Sequence, residues 1–305
     1  MQKNKRRIFL KHSAMAMAAM LLPTASMLAV AKKYKPKLSF STLGCPNWNL
    51  QTIIKFAAEN DYQGVEIRTI QKELDLTKCP DFSSTNINVT KRMFAESNLI
   101  ITDLGSSSTM HFTDKVIRQK NIDEGKRFID LAEKLDCPYV RVFPNNLPAN
   151  ENPKATLEII IDGLNELGNY SNGCSVKVLM ETHGDVVKTA DILYIMQNAN
   201  QQKVGLIWDF LNMWSVTKEP PTDVYNKLKK YIYHVHVKDA KWINGKEQYT
   251  LLGNGEGPVK EAIQLLAKEK FMGFYSFEWE KMWHPEIEEP EIALAHYPKA
   301  IKKYF

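Results

Sequence analysis

Cysteine, glycine and proline are all scarce in this 305-residue sequence. The 14 glycines and 14 prolines are too few for a collagen-like or low-complexity disordered protein, and 44% of the residues are hydrophobic. The four cysteines, Cys45, Cys79, Cys137 and Cys174, include no Cys-x-x-Cys pair, which argues against a zinc knuckle or a redox pair. We expect isolated buried thiols, with a disulfide as the alternative in an oxidising compartment.

The chain also has no net charge outside its first 31 residues. The formal charge of +5 comes from 40 basic and 35 acidic residues. Five of the basic residues and none of the acidic ones precede residue 32, which leaves 35 of each sign in the rest of the chain. A neutral chain gives no electrostatic reason to expect a nucleic-acid partner. The LGNGEG segment at 252–257 has no Walker lysine and is not Gly-x-Gly-x-x-Gly, which argues against nucleotide binding.

The N-terminal segment has the features of an export signal. Consecutive Arg6 and Arg7 precede Phe-Leu-Lys, and an apolar stretch rich in alanine and methionine then ends in Ala-Val-Ala. This pattern resembles the twin-arginine signal, whose export machinery carries folded proteins across the bacterial inner membrane. We therefore predict a signal peptide over 1–31 and a periplasmic domain over 32–305. An uncleaved membrane anchor is the alternative, which Pro23 and the small-residue ending disfavour.

Eight short apolar segments alternate with helical patterns after the signal. Their first residues recur about every 26 to 42 residues, as strands followed by helices do. Their β-branched and aromatic residues are nearly continuous, which indicates parallel strands covered by helices on both sides. We predict an α/β fold, a single-domain (β/α)8 TIM barrel, with a long loop over 71–88 in its second unit. The predicted strands are Leu38–Ser41, Gly64–Ile67, Ile100–Leu104, Tyr139–Phe143, Val176–Met180, Val204–Trp208, Ile232–Val237 and Phe274–Phe277.

Ionisable residues stand where five of these predicted strands end. A barrel of this kind carries its functional side chains at the carboxyl ends of its strands. Three carboxylates and one imidazole there would suit Mn²⁺, Mg²⁺ or Co²⁺, with Zn²⁺ as a further choice. We expect His234, deeper in its strand, to be a core residue and Glu280 to lie in a loop behind the site. The strand-end residues are Glu66, Glu181, His183, Asp209, His236, Lys238 and Glu278.

Five segments carry a family resemblance. They are VLMETHG at 178–184, GLIWDF at 205–210, YHVHVKD at 233–239, LGNGEG at 252–257 and GFYSFEWE at 273–280. Together they resemble the sugar phosphate isomerase/epimerase family, the xylose isomerase-like TIM barrels. The resemblance spans essentially the whole mature chain, and it implies a carbohydrate substrate and one divalent metal ion.

The resemblance also implies a role for each strand-end residue. By it, Glu181, Asp209, His236 and Glu278 bind the metal ion, and His183, Lys238 and Glu66 face the substrate. Glu181 and Glu278 are the implied catalytic pair, which removes and returns the proton next to a metal-polarised carbonyl. Export by the twin-arginine route fits an enzyme that receives its metal before it leaves the cytoplasm.

Departures from the family's patterns leave the reaction open. Asn212 stands where the sixth strand often carries the histidine of Asp-x-x-His, and Val187 and Trp242 replace a Glu and an Arg typical of ketose 3-epimerases. Isomerisation, epimerisation and β-elimination share one proton abstraction, so an exported enzyme that cleaves 3-keto glycosides, as a lyase or hydrolase, is the main alternative. A non-catalytic sugar-binding barrel is the third. No arginine cluster is evident in the sequence, which argues against a phosphorylated substrate.

Overall fold

The structure, a computed structural model, describes residues 34–200 and 202–305. Within these residues ten strands form, and eight of them close into a parallel barrel, which confirms the predicted (β/α)8 fold. The strands are β1 (Lys37–Ser41), β2 (Gly64–Ile67), β3 (Ile100–Thr109), β4 (Tyr139–Phe143), β5 (Lys177–Glu181), β6 (Val204–Asp209), β7 (Ile232–Val237), β8 (Asp239–Ile243), β9 (Lys246–Thr250) and β10 (Phe274–Phe277).

The barrel runs in the order β1, β2, β3, β4, β5, β6, β7, β10 and back to β1. Every neighbouring pair is parallel, so the carboxyl ends of all eight strands share one mouth. Each predicted strand begins within one residue of the observed strand, because continuous apolar segments are local signals. β3 continues five residues beyond its predicted end, where Ser106 donates to Arg141 O of the adjacent β4 and Ser108 donates to Asn121 O.

The described part of the chain contains nine α-helices, which pack around the barrel. One face of each is apolar; in the first, Leu50, Ile53 and Ala57 are almost fully buried. Asn49 and Asp114 cap two helices by accepting backbone N–H bonds. The helices are α1 (Leu50–Glu59), α2 (Ile87–Glu96), α3 (Lys115–Lys134), α4 (Pro153–Tyr170), α5 (Thr189–Asn198), α6 (Phe210–Thr217), α7 (Pro221–Leu228), α8 (Val259–Lys268) and α9 (Pro290–Ile301).

The segment predicted as a loop over 71–88 contains two short 3-10 turns, Leu76–Lys78 and Pro80–Phe82, before α2 begins. The antiparallel hairpin β8–β9, which extends from the mouth after β7, was not predicted. Its turn residues Asn244 and Gly245 both have positive φ angles, of 53° and 75°. An Asn-Gly pair is a strong hairpin signal, so the sequence did contain the information.

The cysteines are free thiols in the structure. Cys45, Cys79 and Cys137 are buried and Cys174 is half-buried. Burial raises the pKa of the Cys45 and Cys137 thiols well above the ordinary value, so both stay protonated at neutral pH. This confirms the expectation of isolated thiols.

The predicted signal peptide over 1–31 lies outside the residues that the structure describes, and it stays a prediction. In the part that is described, no helix combines the length and the apolar character needed to cross a membrane.

Candidate metal centre

Four side chains converge at the mouth of the barrel. Glu181 ends β5, Asp209 ends β6, His236 lies near the end of β7, and Glu278 directly follows β10. Each offers one donor atom, and these atoms all lie within 4.8 Å of one another. The exposed fraction of every one of these residues is 4% or less. The parallel register brings these side chains together. Asp209 of β6 pairs with His236 of β7, and Ser276 of β10 pairs with His236 from the other side.

The donor atoms of this group have the properties of metal ligands. His236 Nδ1 lies 3.3 Å from both Glu181 Oε1 and Glu278 Oε1, yet it makes no aligned hydrogen bond to any described residue. Asp209 Oδ2 is fully buried and lies 2.9 Å from Lys238 Nζ, without an aligned hydrogen bond. Buried polar atoms are rarely left unpaired. Three carboxylates and one imidazole therefore fit one divalent cation, of the Mn²⁺, Mg²⁺ or Co²⁺ type or Zn²⁺.

The surrounding charges keep two of the candidate ligands, Glu181 and Glu278, ionised. Burial and the neighbouring Glu278 oppose ionisation of Glu181, but His236 and Arg141 outweigh them and lower its pKa to about 2. Burial also opposes ionisation of Glu278, whose pKa is nevertheless held well below its ordinary value by His236 and Lys238. Burial raises the pKa of Asp209 to about 7 against the pull of Lys238. Two carboxylates are thus charged at neutral pH before any cation binds.

Glu66 lies behind His236, on the side away from the other ligand candidates. Its Oε2 atom is 2.9 Å from His236 Nε2, 3.1 Å from His234 Nε2 and 3.0 Å from Ser276 Oγ. Although burial opposes ionisation, the two histidines hold the pKa of Glu66 well below its ordinary value, so the ring nitrogens donate to it. Burial opposes a charge on His236, but Glu278, Glu66 and Glu181 raise its pKa well above the ordinary value, so the ring is protonated when no cation is bound. A cation that binds at Nδ1 would displace that proton, while Nε2 keeps its hydrogen bond to Glu66. The placement favours orientation of His236 over the predicted contact of Glu66 with substrate. His234 is fully buried, as expected of a core histidine.

We expect Glu66→Gln to weaken metal binding by about 10- to 100-fold, because groups that orient a ligating histidine typically contribute that much. Competition with a chromophoric chelator measures the metal affinity directly. Ser276→Ala is the matched control, since it removes one hydrogen bond to the same Glu66 oxygen and leaves the histidine contact in place. Equal affinity of wild type and Glu66→Gln would contradict this role.

Lys238 is fixed among three carboxylates. Its Nζ atom lies 2.8 Å from Glu278 Oε2, 2.8 Å from Glu280 Oε1 and 2.9 Å from Asp209 Oδ2. Burial disfavours its charge, but Asp209 and the two glutamates raise the pKa of Lys238 well above its ordinary value. Lys238 is therefore an ammonium ion beside the ligand candidates. Glu280 lies in the segment after β10, as expected, and its contact with Lys238 makes it part of this network.

His183 follows β5, two residues after Glu181. Its Nδ1 is 2.8 Å from Asn145 Oδ1, and its ring centroid is 4.7 Å from that of Phe143. Burial lowers the pKa of His183, so its ring is neutral at pH 7. The ring remains half-buried, and its predicted contact with substrate stays a prediction.

Sequence reasoning missed two charged residues inside the barrel. Arg141, in the middle of β4, donates to Glu181 Oε2 at 2.7 Å and lies 3.8 Å from the centre of the Phe143 ring. Asp103, in β3, is fully buried, and neither of its carboxyl oxygens has a hydrogen-bond partner among the described residues. Burial and then Glu66 raise its pKa well above the ordinary value, so the acid is neutral. A charged residue within an otherwise apolar strand is rare, and that signal could have identified both.

The glycine-rich LGNGEG segment wraps around a carboxylate of its own chain. Asp239 Oδ2 accepts from the backbone N–H groups of Gly253 and Gly255, and Oδ1 accepts from those of Ala240 and Gly257. A Cβ atom at Gly255 would lie 2.0 Å from Asp239 Oδ1, so only glycine fits there. These contacts explain why the sequence carries both the Lys-Asp pair after β7 and the glycines of the LGNGEG segment.

Comparison with known proteins shows that this chain is similar to xylose isomerase-like barrels and to sugar epimerases. The family model described as Xylose isomerase-like TIM barrel matches residues 54–300. Fructoselysine 3-epimerase of Shigella flexneri is 20% identical over 266 residues, which cover 84% of this chain and 93% of that protein.

Two solved structures illustrate the shared fold. The IOLI protein with a bound zinc atom has a TM-score of 0.72 at 20% identity, over 88% of this chain and 99% of that one. The 3-keto-D-glucoside 4-epimerase from E. coli has a TM-score of 0.70 at 15% identity, over 88% of this chain and 100% of that one.

Proposed function

Because the chain belongs to the xylose isomerase-like TIM barrel family, we propose that it is a metal-dependent isomerase or epimerase of a keto sugar. One observation carries the proposal. Glu181, Asp209, His236 and Glu278 bring donor atoms within 4.8 Å of one another at the barrel mouth, where this fold places its active sites. The 3-epimerase relative, whose name specifies a sugar derivative, supports the same class of substrate.

The chain's own residues account for the proton transfer. Glu181 Oε1 and Glu278 Oε1 lie 3.3 Å from the same nitrogen of His236, so the two carboxylates face one volume from different strands. A bound divalent ion supplies a Lewis acid for the substrate carbonyl, which acidifies the adjacent C–H. One glutamate takes the proton from that carbon, and the other returns a proton to the opposite face. The Lys238 ammonium stabilises negative charge that develops on the substrate oxygen.

The second candidate is an enzyme that cleaves 3-keto glycosides. It uses the same proton abstraction, after which the carbon–oxygen bond to the aglycone breaks and an unsaturated keto sugar remains. Similarity to the 3-keto-D-glucoside 4-epimerase structure supports a 3-keto sugar as the substrate. Val187 and Trp242, in place of residues typical of ketose 3-epimerases, favour a reaction other than ketose 3-epimerisation. The third candidate binds a sugar without turnover.

Incubation of the metal-loaded protein in D₂O with ketoses and with 3-keto glucosides separates the three candidates. An epimerised or isomerised sugar that carries deuterium, detected by NMR, supports the first. Release of an aglycone supports the second, and sugar binding without deuterium exchange supports the third. Absence of both exchange and cleavage in the presence of every divalent ion tested would exclude the proposed catalytic function.

We propose that the protein works in the periplasm after twin-arginine export. Arg6→Lys together with Arg7→Lys keeps the charge but removes the guanidinium pair of the signal, so we expect the protein to stay in the cytoplasm. Cell fractionation with an activity assay measures this distribution. Lys5→Gln is the control, since it lowers the charge and keeps the arginine pair. Undiminished periplasmic activity of the double variant would contradict the proposal.

A further inference from the structure

Two arginine side chains meet at the barrel mouth, next to the candidate metal ligands. Arg68 directly follows β2 and Arg141 lies in β4, so β3 runs between them. A Cβ atom at Gly105 of β3 would lie 2.8 Å from Arg68 Cδ and 3.0 Å from Arg141 Nη2. The missing side chain at Gly105 therefore lets the two guanidinium groups approach each other. Both arginines are buried, with exposed fractions of 6% and 3%.

Only one of these two charges has a counter-charge. Arg141 Nη1 is 2.7 Å from Glu181 Oε2, which makes a buried ion pair. Arg68 donates to neutral groups only, at 2.9 Å to Ser107 Oγ and at 3.4 Å to Gly105 O. Among the residues that the structure describes, none brings a carboxylate oxygen within 4.0 Å of the Arg68 guanidinium. The nearby Glu124 accepts from the Ser107 N–H at 2.7 Å instead.

A buried cation beside a second cation is unfavourable without an anion. Burial and then Arg141 lower the pKa of Arg68 to about 9, so the group is still charged at neutral pH. The opposite effect on this pKa comes from carboxylates that lie more than 4.0 Å from the guanidinium, those of Glu124, Glu181 and Glu278. A buried charge is retained in proteins when it has a partner, and none is supplied by the described part of the chain. A negatively charged ligand would supply the missing partner.

The position of the arginine pair relates that ligand to the reaction. Arg141 contacts Glu181, a candidate proton carrier, and flanks Arg68 on its other side. A sugar whose carbonyl faces Glu181 and Glu278 can thus direct a remote substituent towards β2 and β3. Guanidinium groups bind carboxylate and phosphate oxygens through paired hydrogen bonds, and Ser107 adds a hydroxyl at the same place.

We propose that Arg68 binds an anionic group of the keto-sugar substrate, a carboxylate or a phosphate, while Arg141 holds Glu181 beside it. The inference deepens the proposed function and rests on it for the identity of the reacting end. If Arg68 had only a structural role, it would stabilise the end of β3 through its hydrogen bonds to Ser107 and Gly105. That role would affect the folding of the protein and would not discriminate between charged and neutral sugars.

Calorimetric titration tests the proposal with three probes: D-fructose, its 6-carboxylate D-fructuronate, and D-fructose 6-phosphate. We expect at least one anionic probe to bind the wild type about 10- to 100-fold more tightly than fructose, the range for hydrogen bonds to a charged group. Arg68→Gln should abolish that preference and leave fructose affinity within about threefold. Arg68→Lys should restore part of it, because it restores the charge.

Arg118→Gln is the matched control, since Arg118 is a half-buried helix arginine whose nearest acidic partner is Asp162, 4.0 Å away. Thermal unfolding of each variant reports any loss of folding. If neither anion binds more tightly than fructose, or if Arg68→Gln weakens all three probes equally, the proposal is wrong. The relative affinities of the two anions distinguish a carboxylate from a phosphate.

Deuterium exchange with the same probes separates this inference from the proposed function. Exchange into fructose without any preference for an anion would overturn the anion site and leave the isomerase function standing. Anion preference that depends on Arg68 without exchange or cleavage would support the site and overturn the catalytic proposal.

Discussion

Replacement of Glu181 or Glu278 by glutamine is expected to lower sugar epimerisation by about 10³-fold or more, because each variant loses one of two proton carriers. Glutamine has nearly the same shape, but its amide cannot accept a proton from carbon. The two variants should differ in a specific way. With one carrier left, deuterium should still enter the epimer whose C–H faces the remaining glutamate, while conversion between epimers stops.

NMR of both epimers in D₂O measures exchange and conversion separately for each variant. Glu280→Gln is the matched control, because Glu280 also contacts Lys238 but is outside the four-residue group. We expect it to lower the rate by about tenfold at most, as loss of an ion pair next to the site. If Glu181→Gln and Glu278→Gln retain normal epimerisation with bound metal, the two-carboxylate mechanism is excluded.

Removal of the metal ion should abolish exchange and also destabilise the folded protein. Without a cation, the ionised Glu181 and Glu278 both lie 3.3 Å from one His236 nitrogen, and their repulsion is offset by the protonated His236 ring together with Arg141 and Lys238. A cation at about 100 times its dissociation constant stabilises a protein by about 2.7 kcal/mol. In a domain of this size we expect a rise in Tm of about 5 to 10 °C on metal addition.

Scanning calorimetry after chelation, with Mn²⁺, Mg²⁺, Co²⁺ and Zn²⁺ added back in turn, measures this shift and ranks the ions. His236→Asn should retain the fold and lose most of the shift, since it removes the only nitrogen ligand among the four candidates. Full exchange activity in protein shown by elemental analysis to be free of metal would disprove the metal-dependent mechanism.

The barrel was predictable because its signals are local. The eight apolar segments lie within single strands, and the spacing of Leu50, Ile53 and Ala57 reports one helix face without any knowledge of distant residues. The end of β3 was missed because Ser106 and Ser108 do not look like strand residues. Their hydroxyls bond to Arg141 O and Asn121 O, which only the folded chain brings near.

The four candidate ligands were predictable for a related reason. In a parallel barrel the carboxyl ends of the strands meet at one mouth, so Glu181, Asp209, His236 and Glu278 could be grouped once the strands were placed. Glu66 also lies near the carboxyl end of its strand, but its hydrogen-bond partners could not be deduced from the sequence. Its contact with two histidines depends on the depth of each side chain within the barrel, which the strand-end rule does not specify.

The sequence by itself determined where the eight barrel strands begin, the apolar faces of the helices and the ionisable residues at the strand ends, because hydrophobic periodicity and apolar segments act over a few neighbouring residues. Only the tertiary structure decided which charges are paired. Arg68 and Arg141 show no cluster in the sequence, and they meet because the barrel places β2 and β4 on either side of Gly105. The strength of an interaction between charges depends on their distance and burial, and both are set by closure of the barrel.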